Sequence, residues 1–125
     1  MKNFVRLLAA AAATVAAFGF AAGSAAAVDY PTRAIKWVVP YTPAGTTDTL
    51  ARLAAQYLSE KLGQQIVIEN KPGAGNNIGT EYVVHADPDG YTWLLVNPAN
   101  FINTSLYKNL KFNFPEDIQG VAGLV

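Results

Sequence analysis

The stretch IKWVVPYTPAGTTDTLARLAAQYLSEKLGQQIVI, residues 35–68, decides the fold. Ile35 to Pro40 is a short apolar run and reads as a buried strand. Tyr41-Thr42-Pro43-Ala44-Gly45 is a loop. Thr46 or Thr47 is then expected to cap a helix, because a hydroxyl accepts an orphan N–H of the first turn. Leu50, Leu53, Ala54, Tyr57, Leu58 and Leu62 recur at steps of three and four, which predicts the buried helix face. Gly63 ends the helix where a left-handed residue is favoured. Ile66-Val67-Ile68 is the second strand.

Toward the C-terminus the pattern repeats. Asn70 to Asn77 is a loop with two glycines and a proline, and a helix from about Ile78 to His85 follows, capped by Asn76 or Asn77. Asp87-Pro88-Asp89-Gly90 is a turn. Tyr91 to Val96 is the third strand, and Asn97-Pro98-Ala99-Asn100 opens a third loop, to Phe101. Ser105 to Asn109 reads as a short helix, and Gly120 to Val125 as the start of a fourth strand. The β-α-β-α-β order predicts a parallel sheet with crossover helices, an α/β fold. Trp37 and Trp93 fall in strands and are expected in the core. The apolar ending, without a polar tail, reads as a cut inside a core strand, and so as part of a longer protein.

Toward the N-terminus, residues 1–27 read as a cleaved secretory signal. Lys2 and Arg6 precede an apolar run from Leu7 to Phe20, and Ala25 and Ala27 fit the small-residue cleavage rule before Val28. The run is shorter than the roughly 20 residues that span a bilayer. The mature segment, residues 28–125, is then expected to be periplasmic, with no membrane insertion. Without Lys2 and Arg6, seven basic residues face nine acidic ones. That balance argues against nucleic acid, which needs basic excess. The chain has no Cys and one His, so disulfide frameworks, thiol catalysis and multi-histidine metal sites are excluded. No cofactor is expected.

In such sheets ligands lie at the carboxyl ends of strands, on the three loops that enter helices. Loop one offers Tyr41, Thr42, Pro43, Ala44, Gly45, Thr46, Thr47 and Asp48. It has no basic residue between Lys36 and Arg52, so an anion would be held by amides, hydroxyls and water at a helix N-terminus. Capping is the competing role for Thr46 and Thr47. Asp48 either complements the helix dipole or binds an ammonium or bridging water. Loop two, Gly73-Ala74-Gly75-Asn76-Asn77-Ile78-Gly79, is one residue too long for the dinucleotide fingerprint. It reads better as a turn with close helix packing at Gly79, with Asn76 and Asn77 capping or facing the cleft. Asn97 lies on loop three. His85 is expected at a helix end, exposed and without a nucleophile.

The blocks on these loops resemble the Bug family, the substrate-binding proteins of tripartite tricarboxylate transporters. Tyr30-Pro31-Thr32-Arg33 with Val38-Val39-Pro40-Tyr41 resembles their mature start. Pro43 to Asp48 with Ala51-Arg52 resembles their first ligand loop. Glu69 to Gly75 with Asn77-Ile78-Gly79, and Asp87 to Thr92, resemble further blocks, and Asn97 to Asn100 with Ser105-Leu106-Tyr107 resembles a subgroup. Ala44 departs from the family's Gly-Gly, and Asn76 stands where glycine is frequent.

The resemblance implies a lobe of a type 2 periplasmic-binding-protein-like fold, incomplete here. Residues 28–125 would be the N-terminal portion of the first α/β lobe, and the second lobe is missing. It implies no enzyme but a periplasmic solute-binding protein that captures a small carboxylate and delivers it to a membrane permease. Tyr41 to Asp48 would form one grip on the ligand carboxylate. The alternatives are a secreted α/β hydrolase-like enzyme, against which the placement of His85 counts, and a non-functional truncated fragment.

Overall fold

The computed structural model describes residues 29–124, so the expected leader lies outside the described residues. Strand β1 (Ile35–Val39) lies at the centre of a three-stranded parallel sheet, between β2 (Ile66–Asn70) and β3 (Thr92–Leu94). Register is set by Ile35 opposite Ile66 and Trp37 opposite both Ile68 and Trp93. β1 has neighbours on both edges and helices near both faces, which is why it reads as an almost unbroken apolar run. Ile35, Val38 and Val39 are fully buried. Trp37 and Trp93 meet edge to face, with ring centroids 5.8 Å apart. Trp37 is buried as expected, whereas Trp93 is half-buried at the narrow third strand.

Helix α1 (Thr46–Leu62) packs on the face carrying Ile35, Trp37, Val39 and Ile66. The residues that it buries correct the expected face in part: Ala54, Leu58 and Leu62 pack against the core as expected, whereas Leu53 and Tyr57 do not. Ala51 and Ala55 are 0% and 4% exposed, but Leu53 and Tyr57 are 63% and 60% exposed. The stripe in contact runs Asp48, Ala51, Ala55, Leu58, Leu62, still at steps of three and four. Small side chains at 51 and 55 let the helix axis approach the sheet, so the helix turns its alanines inward. Gly63 takes φ 69° and its N–H bonds Ser59 O, closing the helix in the left-handed conformation as predicted. The start differs from expectation. Gly45 is the N-cap, and neither Thr46 nor Thr47 caps with its side chain. Asp48 braces the start from inside the first turn, where its Oδ2 accepts from the Ala44 N–H at 2.9 Å.

A 3-10 turn (Ala74–Asn76) leads into α2 (Asn77–Val84), close to the expected span. Asn76 holds the N-cap position, as expected, at φ 82°, but its side chain makes no capping bond. The β1–α1–β2 crossover moves one way across the sheet and β2–α2–β3 moves back past β1, so right-handedness puts α2 on the opposite face. Strand alternation puts Val38 there too. A Cβ at Gly79 would lie 2.8 Å from Pro40 Cβ and 2.9 Å from Lys71 O, so the predicted close approach is real.

Helix α3 spans Pro98–Leu106, not Ser105–Asn109. Asn97 accepts from the Ala99 N–H and Asn100 Oδ1 accepts from the Asn97 N–H, a reciprocal cap, with Pro98 in the first turn. Asn-Pro therefore opens a helix here rather than prolonging a loop. A short α4 (Phe114–Asp117) follows, with Phe114 buried edge to face against Phe101. Residues 120–124 form no strand, contrary to expectation, and Val121 is 86% exposed. An apolar run becomes a strand only when it pairs with a sheet edge, and this run pairs with none among the described residues. No described helix is long and apolar enough to cross a membrane.

Candidate functional site

Strand order 2-1-3 sends the chain in opposite directions after β1 and after β2. The carboxyl ends of the strands are where such a sheet opens a crevice. Three loops meet there: residues 40–45, 71–76 and 95–97.

Tyr41 joins them. Its hydroxyl accepts from Asn76 Nδ2 at 2.6 Å and also from Asn97 Nδ2. Its backbone carbonyl accepts from Asn70 Nδ2 at 3.1 Å. Burial raises the Tyr41 pKa, against the opposing pull of the Asn76 hydrogen bond, so the phenol is neutral at pH 7. With both lone pairs occupied, its own proton is the hydrogen left to donate.

Asp48 anchors loop one from below. It is 2% exposed. Besides Ala44 N–H, it accepts from Arg52 Nε at 2.9 Å and from Asn70 Nδ2 at 2.8 Å. The Arg52 hydrogen bond, with help from Asn70 and Ala44, holds its carboxyl at about 2. Arg52 in turn donates to Asn70 Oδ1 at 3.0 Å. Asp48 is thus an internal tie between loop one and the end of β2. Asp48 lies in the first turn of α1, where it complements the helix dipole as expected, and it adds this tie to that role. The charge that would repel an anion is matched by Arg52.

Above this tie the rim is neutral. Thr42, Pro43, Ala44, Gly45 and Thr46 are exposed and Thr47 is half-buried. The first intrahelical bond of α1 runs from Thr49 N–H to Gly45 O. The N–H groups of Thr46, Thr47 and Asp48 precede it and have no intrahelical acceptor. Ala44 takes φ 65°, while Gly45 is extended at φ −79°. An L-residue therefore holds the left-handed position, beside a glycine that does not need its freedom.

Loop two is held from α3. Asn103 Nδ2 donates to Gly75 O and to Asn77 Oδ1, the latter at 2.9 Å. Asn100 Nδ2 donates to Thr80 Oγ1 at 2.8 Å, and that hydroxyl donates to Asn76 O at 3.0 Å. Asn77 is buried by these contacts and points inward rather than onto the rim. Among the described residues no buried side-chain polar atom lacks a partner.

The fold therefore brings Tyr41, Asn76 and Asn97 into direct contact, sets Asp48 and Asn77 beneath, and spreads residues 42–47 along the rim. Sequence reasoning missed Asn70, Thr80, Asn100 and Asn103 as partners, and Arg52 as the counter-ion of Asp48. The Asp48–Arg52 spacing of four on one helix was the signal available for that pair. A groove of about 910 Å³ lies elsewhere, at the opposite end of the strands, lined by Arg33, Lys36, Val67, Tyr82, His85 and Thr92. His85 is exposed, with Nδ1 2.8 Å from Glu81 O. Among the described residues no His, Asp and Glu cluster could hold a metal ion.

Residues 50–125 match the family described as Tripartite tricarboxylate transporter family receptor, TctC. A UPF0065 protein of Bordetella pertussis is 46% identical over 103 residues, 82% of this chain and 32% of that protein. Protein BugT of the same organism is 38% identical over 122 residues, 96% of this chain and 37% of that protein. The chain thus spans about a third of the length of these relatives. Among solved structures, MatC from Rhodopseudomonas palustris with bound malate superposes with a TM-score of 0.66 at 36% identity, over 70% of this chain and 30% of that one. R. palustris Rpa4515 with adipate gives 0.55 at 48% identity, over 57% and 24%. The matched family is described as a receptor family, and a further similar structure, at 48% identity over 52% of this chain and 22% of that one with a TM-score of 0.51, is that of the periplasmic binding protein BugD. The chain belongs to the tripartite tricarboxylate transporter receptor family, that of the Bug proteins.

Proposed function

We propose that this chain forms one side of the ligand cleft of a periplasmic solute-binding protein that captures a small carboxylate. Tyr41 to Asp48, with Asn76, Asn77 and Asn97, would build that side. The captured ligand would pass to the membrane permease of a tripartite transporter, by closure of the cleft and without covalent chemistry. The observation that carries the reading is the neutral, donor-rich mouth: free N–H groups at the start of α1, three threonine hydroxyls on the rim, and a guanidinium already committed to Asp48. Such a mouth suits a carboxylate bound by hydrogen bonds rather than by an ion pair. The malate bound to MatC and the adipate with Rpa4515 support the same ligand class.

The test is calorimetric titration, on a receptor that carries both sides of the cleft with this chain as one of them, with malate and adipate, and with the uncharged diamide of malate as control. Uptake of a dicarboxylate and not of the diamide is expected. Thr47→Ala is expected to weaken it by about 1 kcal/mol or more, as when a hydrogen bond to a charged group is lost. Equal binding of acid and diamide, or no binding of any small carboxylate, would refute the assignment.

A further inference from the structure

Loop two has an unusual backbone. Gly73, Ala74, Gly75 and Asn76 all take positive φ, at 127°, 46°, 61° and 82°. For Ala74 and Asn76 that region is costly, and four such residues in a row do not persist unless the surroundings impose them. The glycines at 73 and 75 relieve only part of the cost.

The surroundings that impose it come largely from one face of α3. Asn100 and Asn103 are three residues apart and so project from the same side of the helix. Asn103 is 5% exposed, and its amide donates to the carbonyl of Gly75, in the middle of the left-handed run, and to the side chain of Asn77 just after it. Asn100 grips Thr80, whose hydroxyl bonds the carbonyl of Asn76 at the end of the run. Tyr107, one turn beyond Asn103, covers Gly75 so closely that a Cβ there would lie 2.9 Å from its hydroxyl. Asn76, aimed by this run, then donates to Tyr41.

We infer that Asn103 is a positioning residue for the cleft: it holds the left-handed turn of loop two, and through Asn76 and Tyr41 it sets the affinity of loop one for its ligand without touching that ligand. The affinity half of this inference rests on the carboxylate reading above. The turn-holding half does not. Asn103 supplies two hydrogens to two acceptors, the carbonyl of Gly75 and the buried side chain of Asn77. No hydrophobic residue of the same size can do so.

The experiment compares the full chain with Asn103→Leu, which keeps the volume and removes both hydrogens. Amide hydrogen exchange is read at Asn76 and Thr80 of loop two and α2, and at Val38 and Val39 of β1. Malate and adipate affinities are measured with the same substitution in a receptor that carries both sides of the cleft. Exchange at Asn76 and Thr80 at least tenfold faster, with β1 unchanged, is expected, together with an affinity loss of tenfold or more. If Asn103→Leu does not fold, Asn103→Ser serves instead, since its hydroxyl is too short to reach both acceptors. Unchanged exchange in loop two would overturn the turn-holding role. Faster exchange with unchanged affinity would overturn the coupling to the ligand. Faster exchange, with no carboxylate bound by the unmodified receptor, would overturn the affinity half and the carboxylate reading together, and would support the turn-holding half.

Discussion

Replacing Gly79 by alanine tests the packing that brings loops one and two together. In an unobstructed helix interior the change stabilises, since alanine is about 1 kcal/mol better than glycine. Here the added methyl meets Pro40 Cβ at 2.8 Å, Lys71 O at 2.9 Å and Pro40 Cα at 3.2 Å. Carbon atoms pack at about 3.5–4.0 Å, so α2 must withdraw by several tenths of an ångström. Neither obstacle can swing aside. Pro40 is a rigid ring directly after β1, and Lys71 O is backbone directly after β2. Overpacking costs about 1–3 kcal/mol, and two contacts this short on atoms that cannot move put this one in the upper part of that range, at about 2–3 kcal/mol. After the propensity gain the net loss is about 1–2 kcal/mol, and the expected fall in Tm is roughly 5–15 °C. Thermal unfolding followed by circular dichroism measures it, with urea unfolding as a check on the free energy. The loss should grow from Gly79→Ala to Gly79→Val. A variant as stable as the parent, or more so, would refute the close approach, because the sign would then follow propensity alone.

Three further predictions concern the mouth of the sheet. The Asp48 carboxyl titrates at about 2 in the folded chain, below its ordinary value near 4, so its stabilising effect is complete above that ordinary value and fades as pH falls toward about 2. The stability gap between the parent and Asp48→Asn should therefore narrow between pH 4 and pH 2 in urea unfolding series; a gap that widens over this range would contradict it. Tyr41→Phe removes the acceptor shared by the Asn76 and Asn97 amides and should cost about 2 kcal/mol; a loss below about 0.5 kcal/mol would show that water replaces the phenol freely. Ala44→Gly relieves a left-handed alanine at about 1–2 kcal/mol, less about 0.4–1 kcal/mol of added unfolded-state freedom. A net gain of about 0.5–1 kcal/mol in chemical denaturation is expected, and destabilisation would count against strain at φ 65°.

What the sequence made legible was what local chemistry decides. The apolar runs at 35–39 and 66–68, the helical spacing between them and Gly63 at the stop are all short-range signals, and each appears in the structure. The need for glycine at 79 was also readable, as a break in a helix pattern near a loop. The helix face was harder. Leucines mark bulk, but the distance between helix and sheet is set by the smallest residues, so Ala51 and Ala55 lie inward and Leu53 outward. Asn97-Pro98 is ambiguous in principle, because the same pair suits a turn or a capped first turn, and only the reciprocal bond from Asn100 decides it. The polar partners were out of reach. Asn70 finds Asp48 and Tyr41 across 22 and 29 residues, and Asn103 finds Gly75 across 28, separations that no local pattern encodes. The ligand-facing roles proposed for residues 41–47 rest on resemblance and on the geometry of the mouth taken together.

One hydroxyl serving two amides has a consequence for how this cleft can diversify. Asn76 and Asn97 lie 21 positions apart in the chain, yet each depends on Tyr41 being where the other also needs it. Substitutions on loops two and three will then not act independently, and their effects should depart from additivity by the roughly 0.5–3 kcal/mol seen when residues share a partner. A lineage that alters one of these loops must find a compatible change in the other. The order in which such changes arrive is constrained by a single phenol.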